Sequence, residues 1–361
     1  MAVRKRAGAR SALASLAWLL LAVGITCDAG AQPPAVASGP TAPVQIERQI
    51  VHSAAIAGNL LGTSAERSVF VLLPPGYGTH PRRRYPVVYA LHGFGIGPEK
   101  WMDELHAQSA LEAAFAAGTP EMIFVFPDGG NEYGGSFFVS SMVTGDFEGF
   151  IADELPAFVD AHYRTIAKPA ARGLMGHSMG GYGTARIGAL HPGRFGALYL
   201  MSPCCLLPLG VQGLTAKEVG EIAALKSPAA AIGLPFKYAG PLATAAAFSP
   251  NPRKPPLFVD LAVDADGKVR DDILAKRAAN APLAFIDQHI AALRTYARIG
   301  IDVGNEDSIV SAATMLHKNL DSYAIANVFE VYQGNHTNRV ADRFRAVVLP
   351  FFGRELPRAA P

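Results

Sequence analysis

The sequence predicts an α/β protein with a mostly parallel central sheet, helices on both faces and a cap-like insertion. Three observations carry this. Short apolar runs alternate with longer segments of helical spacing from about residue 67 to the C-terminus. The chain has 361 residues, half of them hydrophobic and only 17% charged, which suffices for a packed core of one large domain or two modest ones. A glycine-rich turn, GHSMGG at 176–181, separates a strand-like run from a helix-like one.

The chain opens on an export-signal pattern. Arg4, Lys5, Arg6 and Arg10 form a basic region, and an apolar run extends from Ser11 to Cys27. Small residues at Ala29–Ala31 then mark a cleavage site after Ala31. The run is short for a membrane span. Gly24 and Thr26 fit poorly around a lipidated Cys27, and Lys5 interrupts a twin-arginine pair. The expected location is therefore the periplasm or the exterior, with no membrane anchor after cleavage. Losing residues 1–31 removes four basic residues and Asp28, which turns the net charge from +2 to −1. Nothing then remains to suggest a nucleic-acid or anionic-membrane surface, since the short basic patch PRRRYP (81–86) reads as a solvated loop before a strand.

Residues 32–44 (QPPAVASGPTAPV) read as a flexible lead-in to a domain over 45–356. Strands are expected at 67–74 (RSVFVLLP), 85–93 (YPVVYALHG) and 121–129 (EMIFVFPDG), with a helix over 101–118 between the last two. A helix over 146–164 follows, in which Pro156 should produce a kink. A strand at 171–178, a helix at 181–192 and a strand at 196–203 complete this half. Residues 204–256, rich in Pro, Ala and Gly, carry only short helical patches and read as an insertion over the carboxyl edge of the sheet. Beyond them come a helix (282–296), a strand (296–304), a helix (307–324), a strand (327–334) and a final helix (339–356). This alternation implies parallel strands covered on both faces.

Gly176-His177-Ser178-Met179-Gly180 fits G-x-S-x-G in the context that the motif requires, strand then turn then helix. Such a turn lifts the Ser178 hydroxyl to the carboxyl edge of the sheet. A structural glycine turn with an idle serine is the competing reading. A serine hydroxyl needs a base, and the base needs an orienting acid, in the order Ser, Asp/Glu, His. His336 follows the last strand and is the only histidine beyond residue 317, while His289 and His317 lie in helical stretches. The acid should follow the strand at 296–304. Asp302 is still in that strand, so Asp307 is favoured with Glu306 in reserve, although Asp307 could also cap the next helix. An oxyanion would be held by the backbone N–H groups of Met179 and of Phe94, the latter in the His92-Gly93-Phe94-Gly95 turn.

YALHGFG, GHSMGGYGTARIGALHPGRFGALYLMSP, IDVGNEDS and GNH, in this order and spacing, resemble the putative-esterase family of α/β-hydrolases over roughly residues 66–353. That family holds S-formylglutathione hydrolases, feruloyl and acetylxylan esterases, enterochelin esterases and the antigen 85 mycolyltransferases. The resemblance implies an α/β-hydrolase fold with Ser178 as nucleophile, Asp307 as acid after a G-x-x-D turn and His336 as base. It also implies a small-molecule or polysaccharide-linked ester as substrate. Transfer of the acyl group to a sugar or lipid alcohol is the alternative, and a non-catalytic binding protein a second one. Thr337-Asn338 stand where many members carry an aromatic residue. NEYGGSFFVSS (131–141) resembles a loop near the site in relatives, so Tyr133, Phe137 and Phe138 are candidates to line a pocket, or else to pack in the core.

No metal or cofactor is expected. DADG (264–267) lacks the further acids of a calcium loop, no H-E-x-x-H occurs, and LPPGYG (73–78) is a turn rather than a phosphate loop. Of three cysteines, Cys204 and Cys205 remain after the signal, as a buried thiol pair or a vicinal disulfide. Glu148 and Asp153 are read as structural partners of loop residues.

Overall fold

The computed structural model describes residues 43–360; the signal segment and nearly all of the lead-in lie outside them. Eight strands form one sheet: β1 (Gln45–His52), β2 (Glu66–Leu73), β3 (Val87–Leu91), β4 (Ile123–Pro127), β5 (Arg172–His177), β6 (Ala197–Met201), β7 (Arg298–Gly304) and β8 (Asn327–Tyr332). Their spatial order is β1-β2-β4-β3-β5-β6-β7-β8. β1 and β2 run antiparallel, and β3 to β8 are parallel.

The central strands are uninterrupted apolar runs because both of their faces are covered. In β3, Val87, Tyr89 and Leu91 enter one hydrophobic core and Val88 and Ala90 enter the other. This is the two-residue period of a strand dividing one segment between two layers. The first core packs under the helices Met179–Leu190 and Leu155–His162. The second packs under Pro98–Leu105, Ala107–Ala116 and Leu349–Glu355. β1 lies at an edge, half exposed, and its polar residues (QIERQIVH) hid it from the sequence reading.

Several expected helices are divided, each for a visible reason. The helix over 101–118 begins at Pro98 and breaks at His106, which takes the left-handed conformation (φ 48°, ψ 47°). The helix over 146–164 contains a π turn, Phe150–Glu154, immediately before Leu155-Pro156. The final helix repeats the device, with a π turn at Phe344–Val348 before Leu349-Pro350. In each, the residue preceding proline donates its N–H five residues back, from Leu155 to Phe150 O and from Leu349 to Phe344 O. Proline lacks an N–H and crowds the carbonyl four residues earlier, and one wide turn absorbs both faults. The helix over 282–296 resolves into single turns at Pro282–Phe285, Ile286–His289 and Ile290–Leu293.

The 204–256 stretch contains more regular structure than short patches. Phe236–Phe248 is a thirteen-residue helix buried from Ala239 to Phe248, with Pro241 inside it. Its alanine-rich sequence offers no amphipathic stripe because it is enclosed nearly all round.

Register positions the site. Leu91 pairs with Gly176, His177 with Met201, Met201 with Asp302, and Gly304 with Tyr332. The carboxyl ends of β3, β5, β7 and β8 therefore reach the same edge, and the loops that leave them carry Phe94, Ser178, Asp307 and His336.

Candidate active site

β5 ends at His177, and the helix Met179–Leu190 begins two residues later. Between them Ser178 adopts φ 55° and ψ −112°, a conformation that non-glycine residues rarely hold without compensation. The compensation is local. The Ser178 N–H donates to Met201 O at 3.0 Å, and Ser178 O accepts from the Tyr182 and Cys204 N–H groups at 3.0 and 3.1 Å. The flanking glycines are required by close approach: a Cβ on Gly176 would meet the Gly180 backbone, and one on Gly180 the Leu91 carbonyl.

His336 Nε2 lies 2.8 Å from Ser178 Oγ, and His336 Nδ1 lies 2.7 Å from Asp307 Oδ2. Asp307 is 4% exposed, and its second oxygen accepts the Ile309 N–H at 3.2 Å. The carboxylate thus both holds the histidine and supports the entry to the helix Val310–Ser322. A carboxylate at Nδ1 assigns the proton to that nitrogen and leaves Nε2 to accept from the serine hydroxyl.

The other acids are engaged elsewhere. Glu306 is exposed and accepts from Gln333 Nε2 at 2.7 Å. Asp302 is fully buried in β7, where Oδ2 accepts from Tyr199 Oη at 3.0 Å and from Arg343 Nε at 2.9 Å. Burial pushes its carboxyl up to about 6 against the opposing effect of Arg343.

Two supports of the histidine loop have no motif in the sequence. Asn305 Oδ1 accepts the Gly334 N–H at 3.0 Å, which ties the turn bearing Asp307 to the loop bearing His336. His177 Nε2 lies 2.8 Å from the main-chain oxygen of His336. Burial, with His336 adding to it, lowers the His177 pKa to about 4, so that ring is neutral at neutral pH.

The loop after β3 is fixed by His92. Its Nε2 accepts the Gly129 N–H at 2.8 Å, so its other nitrogen, Nδ1, donates to Gly93 O, also at 2.8 Å. Gly93 backs onto the serine, and a Cβ there would lie 3.7 Å from Ser178 Cβ. Among the described residues, neither the Phe94 nor the Met179 N–H donates to a protein acceptor. The Met179 amide opens its helix and has no partner within it.

Tyr133, Phe137 and Phe138 are core residues rather than pocket walls. Tyr133 and Phe138 are wholly buried and Phe137 nearly so. Tyr133 Oη donates to Leu257 O at 3.0 Å, Phe137 packs against Tyr182 and Phe248, and Phe138 packs edge-on to His92. Phe137 and Phe138 both take positive φ (54° and 52°), so the loop is held by its packing. The open aromatic surface belongs instead to Phe94, partly buried, and to Phe236. Their rings meet edge to face at 5.5 Å, and Phe236 is 69% exposed. Phe236 lies in the 204–256 insertion.

Cys204 and Cys205 are free thiols. A hydrogen bond that the Cys205 thiol donates to Cys204, with burial, raises the Cys205 thiol well above its ordinary value, which makes it a poor nucleophile. Glu148 receives Arg186 at 2.6 Å and His191 at 2.8 Å, and Asp153 receives Arg194 at 2.7 Å. Both acids brace the helix behind Ser178 and the turn that follows it.

The chain is similar to an esterase of Mycobacterium tuberculosis, with 37% identity over 129 residues, 35% of this chain and 27% of the relative. It is also similar to an endo-1,4-beta-xylanase/feruloyl esterase of Xylanibacter ruminicola, with 30% identity over 152 residues, 40% of this chain and 21% of the relative. The matches thus span about a quarter of the length of these relatives. Among solved structures, a ferulic acid esterase superposes with a TM-score of 0.61 at 19% identity, covering 88% of this chain and 100% of the other. An S-formylglutathione hydrolase from Agrobacterium tumefaciens gives 0.55 at 14% identity, covering 87% and 96%. At these identities the likeness establishes the fold, the α/β-hydrolase fold. A family description, Putative esterase, matches residues 62–346, and the chain belongs to that family.

Proposed function

We propose that the chain is an exported serine esterase that cleaves a carboxylic ester through an acyl-enzyme. The observation that carries this reading is the continuous relay from Ser178 Oγ through His336 to Asp307, at 2.8 and 2.7 Å, on a strained turn between strand and helix. His336 Nε2 takes the hydroxyl proton as Ser178 Oγ bonds to the ester carbon. Negative charge gathers on the carbonyl oxygen, where the Phe94 and Met179 N–H groups receive it. The tetrahedral species collapses, the C–O bond to the alcohol breaks, and His336 returns the proton to that oxygen. Water, deprotonated by His336, then releases the acid and restores Ser178. Throughout, Asp307 holds the imidazole and offsets its positive charge.

The names of the relatives, together with the partly buried Phe94 and the exposed Phe236 that packs on it beside the serine loop, favour an aromatic acyl group such as ferulate. On this reading the 204–256 insertion supplies one wall of the site. Export rests on the N-terminal sequence pattern.

The test is hydrolysis of methyl ferulate and of a p-nitrophenyl ester series by the protein and by its Ser178→Ala variant. Hydrolysis by the wild type, reduced roughly 10⁴- to 10⁶-fold in the variant, is the expected result. Equal rates for the two proteins would refute the assignment.

A further inference from the structure

We propose that His177, the residue before the nucleophile, is a positioning residue that fixes His336 on the Ser178 hydroxyl through a hydrogen bond to the His336 main chain. The inference rests on the esterase reading above. His177 ends β5, so the strand that places Ser178 also places its ring. A main-chain carbonyl only accepts, so the 2.8 Å contact to His336 O requires the proton on His177 Nε2.

The ring has no freedom to leave. It is buried, and Gly93 closes in behind it, where a Cβ would come within 3.3 Å of Nδ1. His336 is in a different position. It lies on the loop after an edge strand, and its side chain is 37% exposed. Asp307 grips the ring at one nitrogen, about which an imidazole can still swing. The His177 bond adds a second anchor on the backbone, and the two together hold Nε2 within reach of Ser178 Oγ. A misplacement of about 1 Å in such a group costs on the order of 100-fold in rate.

Charge explains why the anchor is a histidine. The two rings are 5.0 Å apart, and His336 becomes positive during turnover. A lysine or arginine in the same place would oppose that charge. A buried, neutral imidazole donates the bond without doing so.

The test compares H177Q with H177M. Glutamine places an N–H donor the same number of bonds from Cβ as His Nε2, and methionine has the same length without a donor. For H177Q, kcat within about 3-fold of wild type is expected; for H177M, a fall of roughly 10- to 100-fold with KM unchanged. Labelling of Ser178 by a fluorophosphonate should slow in parallel. Equal rates for two folded variants would overturn the proposal. Should H177M not fold, ¹⁵N NMR of the wild type decides: a bare Nδ1 and a protonated Nε2 on His177 are expected, and the opposite tautomer overturns it. Wild-type protein that resists the fluorophosphonate defeats the esterase reading and this inference with it. Labelled wild type with unaffected variants defeats this inference alone.

Discussion

Asp302 and Asp307 lie five residues apart on one stretch of chain, yet they face different partners: Arg343 holds Asp302 at 2.9 Å and His336 holds Asp307 at 2.7 Å. One acid is locked inside the sheet layer. The other is delivered by the turn after β7 to the loop after β8. Their roles separate because a strand residue points into a packed face, whereas a residue past the turn is free to reach a neighbouring loop.

Asp307→Asn should lower kcat by about 10⁴-fold, because the amide cannot hold the imidazole with its proton on Nδ1. The fold should persist, since Asn can still accept the Ile309 N–H that Asp307 Oδ1 now accepts. Ester hydrolysis beside a thermal melt checks both halves. A folded variant with undiminished turnover would remove Asp307 from the mechanism.

Arg343→Met should destabilise the protein by about 3–5 kcal/mol, because it strands a buried carboxylate. Arg343 links Asp302 to Glu330 on β8, at 2.9 and 2.6 Å, so its loss frees two acids at once. The fully buried Asp302 carries the larger penalty. Denaturant unfolding measures the change, and an unaltered midpoint would contradict it.

The buried His177 should make stability depend on acid. Its pKa is about 4 in the native protein against about 6.5 in an unfolded chain, so between these values the unfolded state binds the extra proton. Stability from this group is complete above pH 6.5 and is lost as pH falls towards 4. His336 and Asp307 are the charged groups that act on it. From pH 7.5 to 4.5, the wild type should lose about 2–3 kcal/mol more than H177Q, which has no proton to gain. Parallel pH slopes in urea unfolding would show that the ring is not neutral and buried.

Phe236→Ala should act on substrate rather than on folding, because the ring is mostly exposed and touches Phe94 beside the serine loop. Losing about 1 kcal/mol of aromatic contact should raise KM for a ferulate ester roughly 5-fold and leave p-nitrophenyl acetate unchanged. A uniform change across both esters would place Phe236 outside the substrate wall.

Much of this was legible in the sequence, and the reasons are local. Buried parallel strands announce themselves as unbroken apolar runs, so β3, β4, β5 and β6 were visible in VVYAL, IFVFP, RGLMGH and ALYLM. The elbow at Ser178 was visible because only small residues fit at 176 and 180. Loops that follow parallel strands leave one edge of the sheet, so Ser178, Asp307 and His336 were candidates to converge there, and the structure brings their side chains within hydrogen-bond distance. β1 stayed hidden because an edge strand keeps polar residues, and the helix Phe236–Phe248 because its body, enclosed from Ala239 to Phe248, has no stripe.

What the tertiary structure alone decided is which surfaces meet. The sequence by itself determined a parallel α/β layer with a serine at its carboxyl edge, since periodicity and steric room are properties of neighbouring residues. It could not determine that His177 reaches the His336 main chain across 159 positions, that Asn305 ties two loops together, or that Tyr133 and Phe138 turn inward while Phe236 stands open beside Phe94. Those contacts join segments far apart in the chain. They are fixed only when the strand register brings the loops to one edge and close packing decides which side chains are enclosed.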